Sequence, residues 1–576
     1  ITYNDEGEAV VQTQEEIIRG IKEAKELSYY DHLSDAAYLR AKEDYLMGMN
    51  FSRLLSVKYG NSMADFLNMK YCSIAVGRVM TCVLGMVVRR EREIRQFVKI
   101  PFYRILSTAS ILDSSLEMEW KSQPNTPYYN SPLLYKENGF KKKEDAVGLI
   151  AEILNCDKEQ VTLDASNELH TDFTGTIEKI EKKKEKKNAP LLYNLAELQA
   201  DCAKLFKIAP DETLKIIQDL YEKKMVTYPR TDARVLSTAI AKEIDKNLKG
   251  LKDLKVVCPF VEEILNSGSY KTIAKSRYTN DAQITDHYAV IPTGQGIRSL
   301  QSLSAVSVKV YETIVRRFLA IFYPPAVYEK VSLVVNITQE KFFATDKYLI
   351  EEGYQKVMHY TFKKKSNKIE ETTEISASQE SFSDAQSTEE EENASLRKIM
   401  PTLKKGSELS FSNIGIKEGE TSPPKRYTTG SIILAMENAG NLIEDEELRE
   451  QIKSSGIGTS ATRADILEKL VNKNKYLVKN NKTQILTPSL QGEMVYDVVN
   501  SSIRSLLNAE LTASWEKGLN YVAEGSLTSD EYMEKLESFI CKHTANVISL
   551  NNQYHMQHFY AQTKEFYKMG KRKKDE

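Results

Sequence analysis

The feature that most restricts the fold of this chain is its punctuation: two charge-rich, apolar-poor runs, Lys179 to Lys187 and Phe362 to Leu396, interrupt otherwise globular sequence. The first ends at Asn188-Ala189-Pro190 and gives way to a helical pattern near Leu195, which marks a domain boundary near residue 188. The second is rich in Lys, Ser, Thr and Glu and reads as a solvated linker or long loop. A chain of 576 residues exceeds what one hydrophobic core usually organises, so several domains are expected. With 41% apolar and 28% charged residues, the chain has globular composition, which excludes a disordered or fibrous chain.

Other classes fall away on similar grounds. The most apolar stretch, Ser73 to Val88, is interrupted by Arg78 and is shorter than the roughly 20 apolar residues of a membrane span. It reads as a buried helix. No positively charged leader precedes an apolar signal core, and a chain opening on Ile1 is expected to lack its natural N-terminus. Six widely spaced cysteines without a Cys-x-x-Cys pair suggest neither a zinc ribbon nor a disulfide framework, and fit a reducing cytoplasm. The net charge of -2 averages acidic tracts such as Glu389 to Glu392 with basic ones. Affinity for nucleic acid depends on local Lys and Arg clusters, so this balance does not exclude a DNA enzyme. The charged end around Lys571-Arg572-Lys573-Lys574 reads as a frayed tail, with weak DNA contact as the alternative.

One link carries chemistry. Pro210 and Asp211 open a helix with Leu214, Ile217, Leu220 and Tyr221 at helical spacing. Ser237 caps a second helix bearing Ile240, Ile244 and Leu248, closed by Gly250. Between them lies Thr227-Tyr228-Pro229-Arg230-Thr231-Asp232, where Pro229 biases Tyr228 away from helical conformation. In an extended link Tyr228, Arg230 and Asp232 face one side and can converge. These residue types suit attack of a phenol oxygen on a phosphodiester, whose covalent product keeps the bond energy for resealing. A phenol with a pKa of about 10 needs a local cation or base, and the transition state needs positive charge; Arg230 is placed for both. A purely structural turn is the other reading.

The surroundings resemble a known family. Met225 to Thr238 (MVTYPRTDARVLST) is similar to the nucleophile segment of bacterial and plasmid-borne topoisomerase III enzymes. Arg40 to Asn50 resembles the family's first helix after its metal domain, Ala75 to Thr81 its Gly-Arg-Val segment, and Thr285 to Thr293 its histidine block. Pro424 to Thr428 with Ala435 to Gly440 resembles a later block, followed by Gly456 to Arg463 (GIGTSATR). The matches keep the family's order from about residue 15 to 525, so the chain is identified as a member of the type IA DNA topoisomerases, topoisomerase III-like.

The resemblance implies roles. Tyr228 is the nucleophile, and Arg230 steadies the attacked phosphate or else forms a surface ion pair with Asp232. Asp232 orients Arg230 or caps the next helix. His287 binds phosphate or transfers a proton, against a packed or surface histidine. Arg78 contacts the strand backbone or sits in a structural ion pair, since a buried charge is costly unless paired. In the Gly456 block the glycines allow close backbone approach, Ser460 or Thr462 can cap the helix bearing Ile466, Leu467 and Leu470, and amides at its start can hold phosphate. Tyr476 to Lys479 and Thr483 to Leu486 flank Asn480-Asn481-Lys482 like a hairpin, which suggests a winged helix. Thr459, Ser460 and Arg463 are then expected DNA contacts, with a structural role the alternative for the arginine.

The implied fold is mixed α and β and multidomain: a toroidal body with a β-rich arch and helical, winged-helix DNA-binding domains. Residues 1–27 would be a remnant of the Toprim (metal) domain, 28–95 and 429–550 the strand-binding body, and 96–187 and 319–428 the arch, with 362–396 a flexible insertion. Residues 188–318 would form the nucleophile domain and 551–576 a charged C-terminal tail. The implied reaction is ATP-independent single-strand breakage, strand passage and rejoining through a 5'-phosphotyrosine. It implies magnesium, neither ATP nor zinc, DNA (especially single-stranded) as partner, no membrane, and a monomer in the bacterial cytoplasm at the nucleoid. The family's metal domain carries a lone glutamate and an Asp-x-Asp-x-Glu cluster. Thr2 to Glu8 only echoes it: Thr2 and Asn4 stand where carboxylates are wanted, and four residues cannot hold the helix and strand expected before Gln12 to Ile21. Glu6 and Glu8 are what remains as candidate ligands, and the magnesium site is expected to lie mostly outside this chain. The rival reading is a DNA-binding, cleavage-only or inactive relic. A tyrosine recombinase would carry His-x-x-Arg, which none of the seven histidines begins.

Overall fold

The computed structural model describes residues 2–3, 9–10, 18, 21–111, 114–124, 126–284, 287–362, 403–444, 446, 449 and 456–568. Strands β1 (Thr2–Tyr3) and β2 (Ala9–Val10) pair antiparallel; Glu6 and Glu8 lie outside the described residues. Helix α1 (Asp31–Leu67) follows, 37 residues and about 55 Å long. Its buried positions Leu39, Glu43, Met47, Phe51, Leu55, Tyr59 and Met63 recur every four residues. That spacing overshoots the 3.6-residue turn, so the stripe drifts about 40° per step and needs different partners along the helix.

Helix α2 (Arg78–Gln96) begins later than the buried helix expected from Ser73. Residues 73–77 are non-helical because side chains satisfy their backbone instead of a helix ladder. The amides of Ile74 and Val76 donate to Ser56 Oγ (2.8 Å) and Ser52 Oγ (3.0 Å) on α1, and that of Ala75 to the Tyr476 hydroxyl (2.8 Å).

Next come β3 (Pro101–Ile111), β4 (Ser114–Trp120), β5 (Leu134–Lys136), β6 (Gly139–Phe140), α3 (Lys143–Leu154) and β7 (Glu168–Lys187). Helices α4 (Leu195–Phe206), α5 (Pro210–Glu222), α6 (Thr238–Gly250), α7 (Cys258–Ser267) and α8 (Ala305–Ala320) follow, then β8 (Ala326–Ile337), β9 (Glu340–Glu351) and β10 (Glu408–Glu420). The last part contains α9 (Thr429–Glu437), α10 (Arg463–Glu468), β11 (Leu477–Lys479), β12 (Leu486–Pro488), α11 (Leu490–Ser502), α12 (Ala509–Ala523), α13 (Ser529–Ser549) and α14 (Gln553–Lys568). Along its length α1 meets α12, α13 and α14, as its drifting stripe requires.

The sheet runs β10-β7-β8-β9-β4-β3, and β10 returns to pair with β3, closing it with every pairing antiparallel. Closure leaves those strands no open edge where they are paired. Its interior holds Trp120, Phe140, Val331, Leu333, Phe342, Phe411 and Ile414, joined by Leu149 and Ile150 of α3. A second core gathers α4 to α8 and extends through Ala326 and Tyr328 to Val357. A third joins α1 and α2 to α9 and the helices after it. The mixed α and β class is as expected.

One difference from the sequence reading concerns the end of the chain. Residues 553–568 are helix rather than tail: Met556 and Tyr560 are buried in the core with α1 and α2, and the Tyr567 hydroxyl donates to Pro488 O (3.1 Å) and Glu493 Oε1 (2.6 Å). The apolar spacing of Met556, Tyr560 and Tyr567 outweighs the charges that follow. Residues 569–576, with the basic cluster, and nearly all of 362–396 lie outside the described residues.

Candidate active site

Tyr228 lies on the non-helical link between α5 and α6. Pro210 starts α5, which buries Leu214, Ile217 and Leu220, and the Ser237 hydroxyl accepts from Ile240 N to cap α6. Two segments hold the link from either side. The Thr227 amide donates to Ile291 O (3.0 Å), and its hydroxyl donates to Ala289 O (3.1 Å) while accepting from Ile291 N (2.9 Å). The Thr231 hydroxyl donates to His287 O (2.5 Å). On the other side Leu195 N donates to Thr231 O and Leu192 N to Arg234 O, both at 3.2 Å. Pro229 and Thr231 are buried, Tyr228 and Asp232 half-buried and Arg230 exposed, the alternation of an extended link.

These bonds bring the tyrosine and histidine blocks together. The Tyr228 and His287 rings lie 4.4 Å apart between centroids, tilted at 44°. Tyr221 also meets Tyr228, edge-on at 5.4 Å. Tyr221 therefore departs from the apolar stripe of α5: it is 38% exposed, and its ring serves the nucleophile candidate rather than the core. Thr285 and Asp286 lie outside the described residues. Arg230 is exposed and makes no hydrogen bond or ion pair among the described residues.

Asp232 neither orients Arg230 nor caps α6. Its Oδ1 accepts from Arg463 Nη1 at 2.8 Å, from the far side of a seam between α4 and α9. The cap position of α6 belongs to Ser237, five residues further on, and Arg463 is 1% exposed at the seam, where a buried cation requires an acceptor. Asn194 ties the same seam. Its side-chain oxygen caps α4 by accepting from Glu197 N (2.9 Å), while its amide donates to Asp232 O (3.1 Å) and to the Glu437 carboxylate. Burial pushes the Glu437 carboxyl up; Arg463 opposes this and Asp232 reinforces it. Nearby, Arg234 pairs with Glu197 at 2.7 Å, and Arg317 is buried over the Tyr193 ring. Sequence reading passes over Asn194 as a site residue, although asparagine before a helix is a capping signal.

The expected strand contacts are placed differently from one another. Arg78 opens α2 with its side chain 3% exposed, facing Glu43 (3.2 Å), Asp44 (3.3 Å) and Glu516 (3.0 Å). That is the structural ion pair of the two readings. Burial pushes the Glu43 carboxyl up to about 7 against the pull of Arg78. Thr459 is exposed and Ser460 half-buried. Neither Ser460 nor Thr462 caps α10, because the Thr462 hydroxyl instead accepts from Thr459 N (3.0 Å), and the amides of Thr462 and Arg463 donate to Thr459 O. Those amides are not free for phosphate. The hairpin exists in shifted form: Leu477 pairs with Pro488, so the second strand starts at Leu486, while Thr483 belongs to a turn held by Asn480 Oδ1.

Among the described residues no group of three or more His, Cys, Asp or Glu side chains is placed to hold a metal ion, so they do not fit magnesium, which wants several oxygens. No helix among them is long and apolar enough to cross a membrane.

The family model described as DNA topoisomerase matches residues 28–534. The chain is 30% identical over 545 residues to DNA topoisomerase 3 of Bacillus licheniformis, covering 94% of this chain and 64% of that protein. It is 29% identical over 534 residues to DNA topoisomerase 3 of Bacillus subtilis, covering 92% and 62%. The chain thus spans somewhat less than two thirds of these relatives. The solved structure of full-length topoisomerase I from Thermotoga maritima superimposes with a TM-score of 0.57 at 20% identity, covering 93% of this chain and 72% of that one, a likeness of fold.

Proposed function

The chain belongs to the DNA topoisomerase family, type IA and topoisomerase III-like, and on that premise we propose that it breaks one DNA strand, allows another to pass and rejoins the break without ATP. The observation that carries this reading is the half-buried phenol of Tyr228, with the His287 ring against it and the exposed Arg230 two residues on. Tyr228 Oη forms a bond to phosphorus as the bond to the 3' oxygen breaks. The phenol's proton leaves, and the departing oxygen gains one to become a hydroxyl. The product is a 5'-phosphotyrosine beside a free 3'-hydroxyl, and the reverse attack reseals the strand with the bond energy conserved.

In this reading Arg230 supplies positive charge to the non-bridging oxygens. His287 is the group beside the ring suited to move the proton. Asp232 and Arg463 act as positioning residues, since their charges satisfy each other across the seam. DNA is the partner, held as a single strand through backbone and stacking contacts rather than base readout. In this reading the protein works as a monomer in the bacterial cytoplasm, as the bacterial relatives suggest for the compartment.

The test uses a single-stranded oligonucleotide labelled at its 3' end, because the 5'-linked fragment keeps that label. The chain should become labelled and a Tyr228→Phe variant should not. Relaxation of supercoiled plasmid with magnesium, lost in the variant, would support the full cycle. Adduct without relaxation would identify a cleavage-only relic, and no adduct would overturn the role of Tyr228.

A further inference from the structure

Strand β8 lies between β7 and β9, and three lysines stand in register across them: Lys183 opposite Lys330, and Lys330 opposite Lys347. Residues paired in this way project to one side of a sheet. At a strand spacing of about 4.8 Å they form a row about 10 Å long. All three are exposed. One carboxylate answers them: Glu185, bonded to Lys347 at 2.7 Å, is held below the usual carboxylate range first by that lysine and then by Lys330 and Lys183. Lys183 and Lys330 make no ion pair among the described residues.

Like charges directly opposite one another destabilise a sheet. Lysines on an edge strand have a structural purpose, blocking addition of another strand, and this accounts for the part of β7 beyond its pairing with β10. It does not account for Lys330, whose strand is paired on both sides.

We propose that this lysine row is a docking surface for a DNA phosphate backbone, separate from the Tyr228 site; the proposal rests on the DNA reading above. One strand of B-form DNA offers a phosphate about every 3.4 Å of axis, so the row meets about three of them. Its position gives the contact a use. β7 runs straight into residue 188 and β8 follows α8, so these strands are the covalent connection between the closed sheet and the core that carries Tyr228. A second DNA segment seated there bears on the connection that any separation of the two must bend.

The test is salt dependence, measured with the whole chain carrying Tyr228→Phe and a blunt-ended duplex. Replacing Lys183→Gln, Lys330→Gln and Lys347→Gln together should make the slope of log affinity against log salt shallower by about 2 to 3. Between 50 and 200 mM salt this is about 16- to 64-fold less loss of affinity. The triple Lys→Arg variant should keep the parent slope. An unchanged slope in the glutamine variant, or no duplex binding by the parent, overturns the proposal. Should the triple variant aggregate, Lys330→Gln alone is read, with a slope shallower by about 0.9 expected and an unchanged slope again overturning the proposal. Adduct formation by the unmutated chain is scored separately, so a failed nucleophile and a failed lysine row are told apart.

Discussion

Arg463 Nη1 lies 2.8 Å from Asp232 Oδ1, so two residues 231 positions apart meet in one ion pair beside the nucleophile candidate. Arg463→Ala would leave Asp232 and the half-buried Glu437 without their cation and should cost about 3 kcal/mol, whereas Asp232→Asn keeps an acceptor and should cost less. A double-mutant cycle on thermal unfolding should return a coupling of about 1–3 kcal/mol. Simple additivity would show the pair to be incidental.

His287 and Tyr228 have rings in contact, and the two readings of the histidine separate cleanly. If it moves the proton, His287→Ala should slow adduct formation about 10²- to 10⁴-fold with little change in the melting temperature. A variant that melts early and forms adduct at the parent rate would leave the histidine with a packing role alone.

Glu43 should make stability fall as pH rises. Burial is the main cause of its upward shift, with Arg78 and the Tyr532 hydroxyl opposing and Asp44 and Glu516 reinforcing. A carboxyl whose folded value is raised from 4.5 to about 7 holds its proton longer in the folded state, so its contribution is full below 4.5 and lost as pH rises through about 7. The change is at most about 3 kcal/mol. Melting curves of the parent and of Glu43→Gln at pH 5 and pH 8 check this: the parent should lose more stability across the interval. Parallel losses would refute it.

Gly456 and Gly458 both have positive φ, +65° and +70°, yet they should differ sharply. A Cβ at Gly456 would overlap the carbonyl oxygens of Met436 and Glu437, while at Gly458 the nearest atoms are 3.5 Å away. Gly458→Ala should therefore cost only its conformational strain, about 1 kcal/mol, and Gly456→Ala considerably more because the backbone beside Glu437 must move. Thermal unfolding of the two variants gives the ranking, and equal midpoints would contradict it.

Much of the region around Tyr228 can be read without coordinates because its determinants are local. Pro210 at a helix start, Ser237 at a cap and Pro229 after Tyr228 each act within a few residues, and each does so here. The charged ending hid α14, since the basic cluster after Lys568 dominates a composition window that also holds Met556, Tyr560 and Tyr567. Tyr221 misled in the opposite sense: its spacing fits the α5 stripe, but its ring turns to Tyr228.

By itself the sequence determined the family, the helices on either side of the Tyr228 link and the non-helical form of that link, because chain stereochemistry and capping act over short distances. The tertiary structure alone decided which charges meet. Asp232 takes Arg463 rather than Arg230, Arg78 takes three carboxylates, and Asn194 spans from Asp232 to Glu437. The physical reason is that burial obliges a charged group to find a partner but does not name it; the partner is whichever opposite group packing brings within reach.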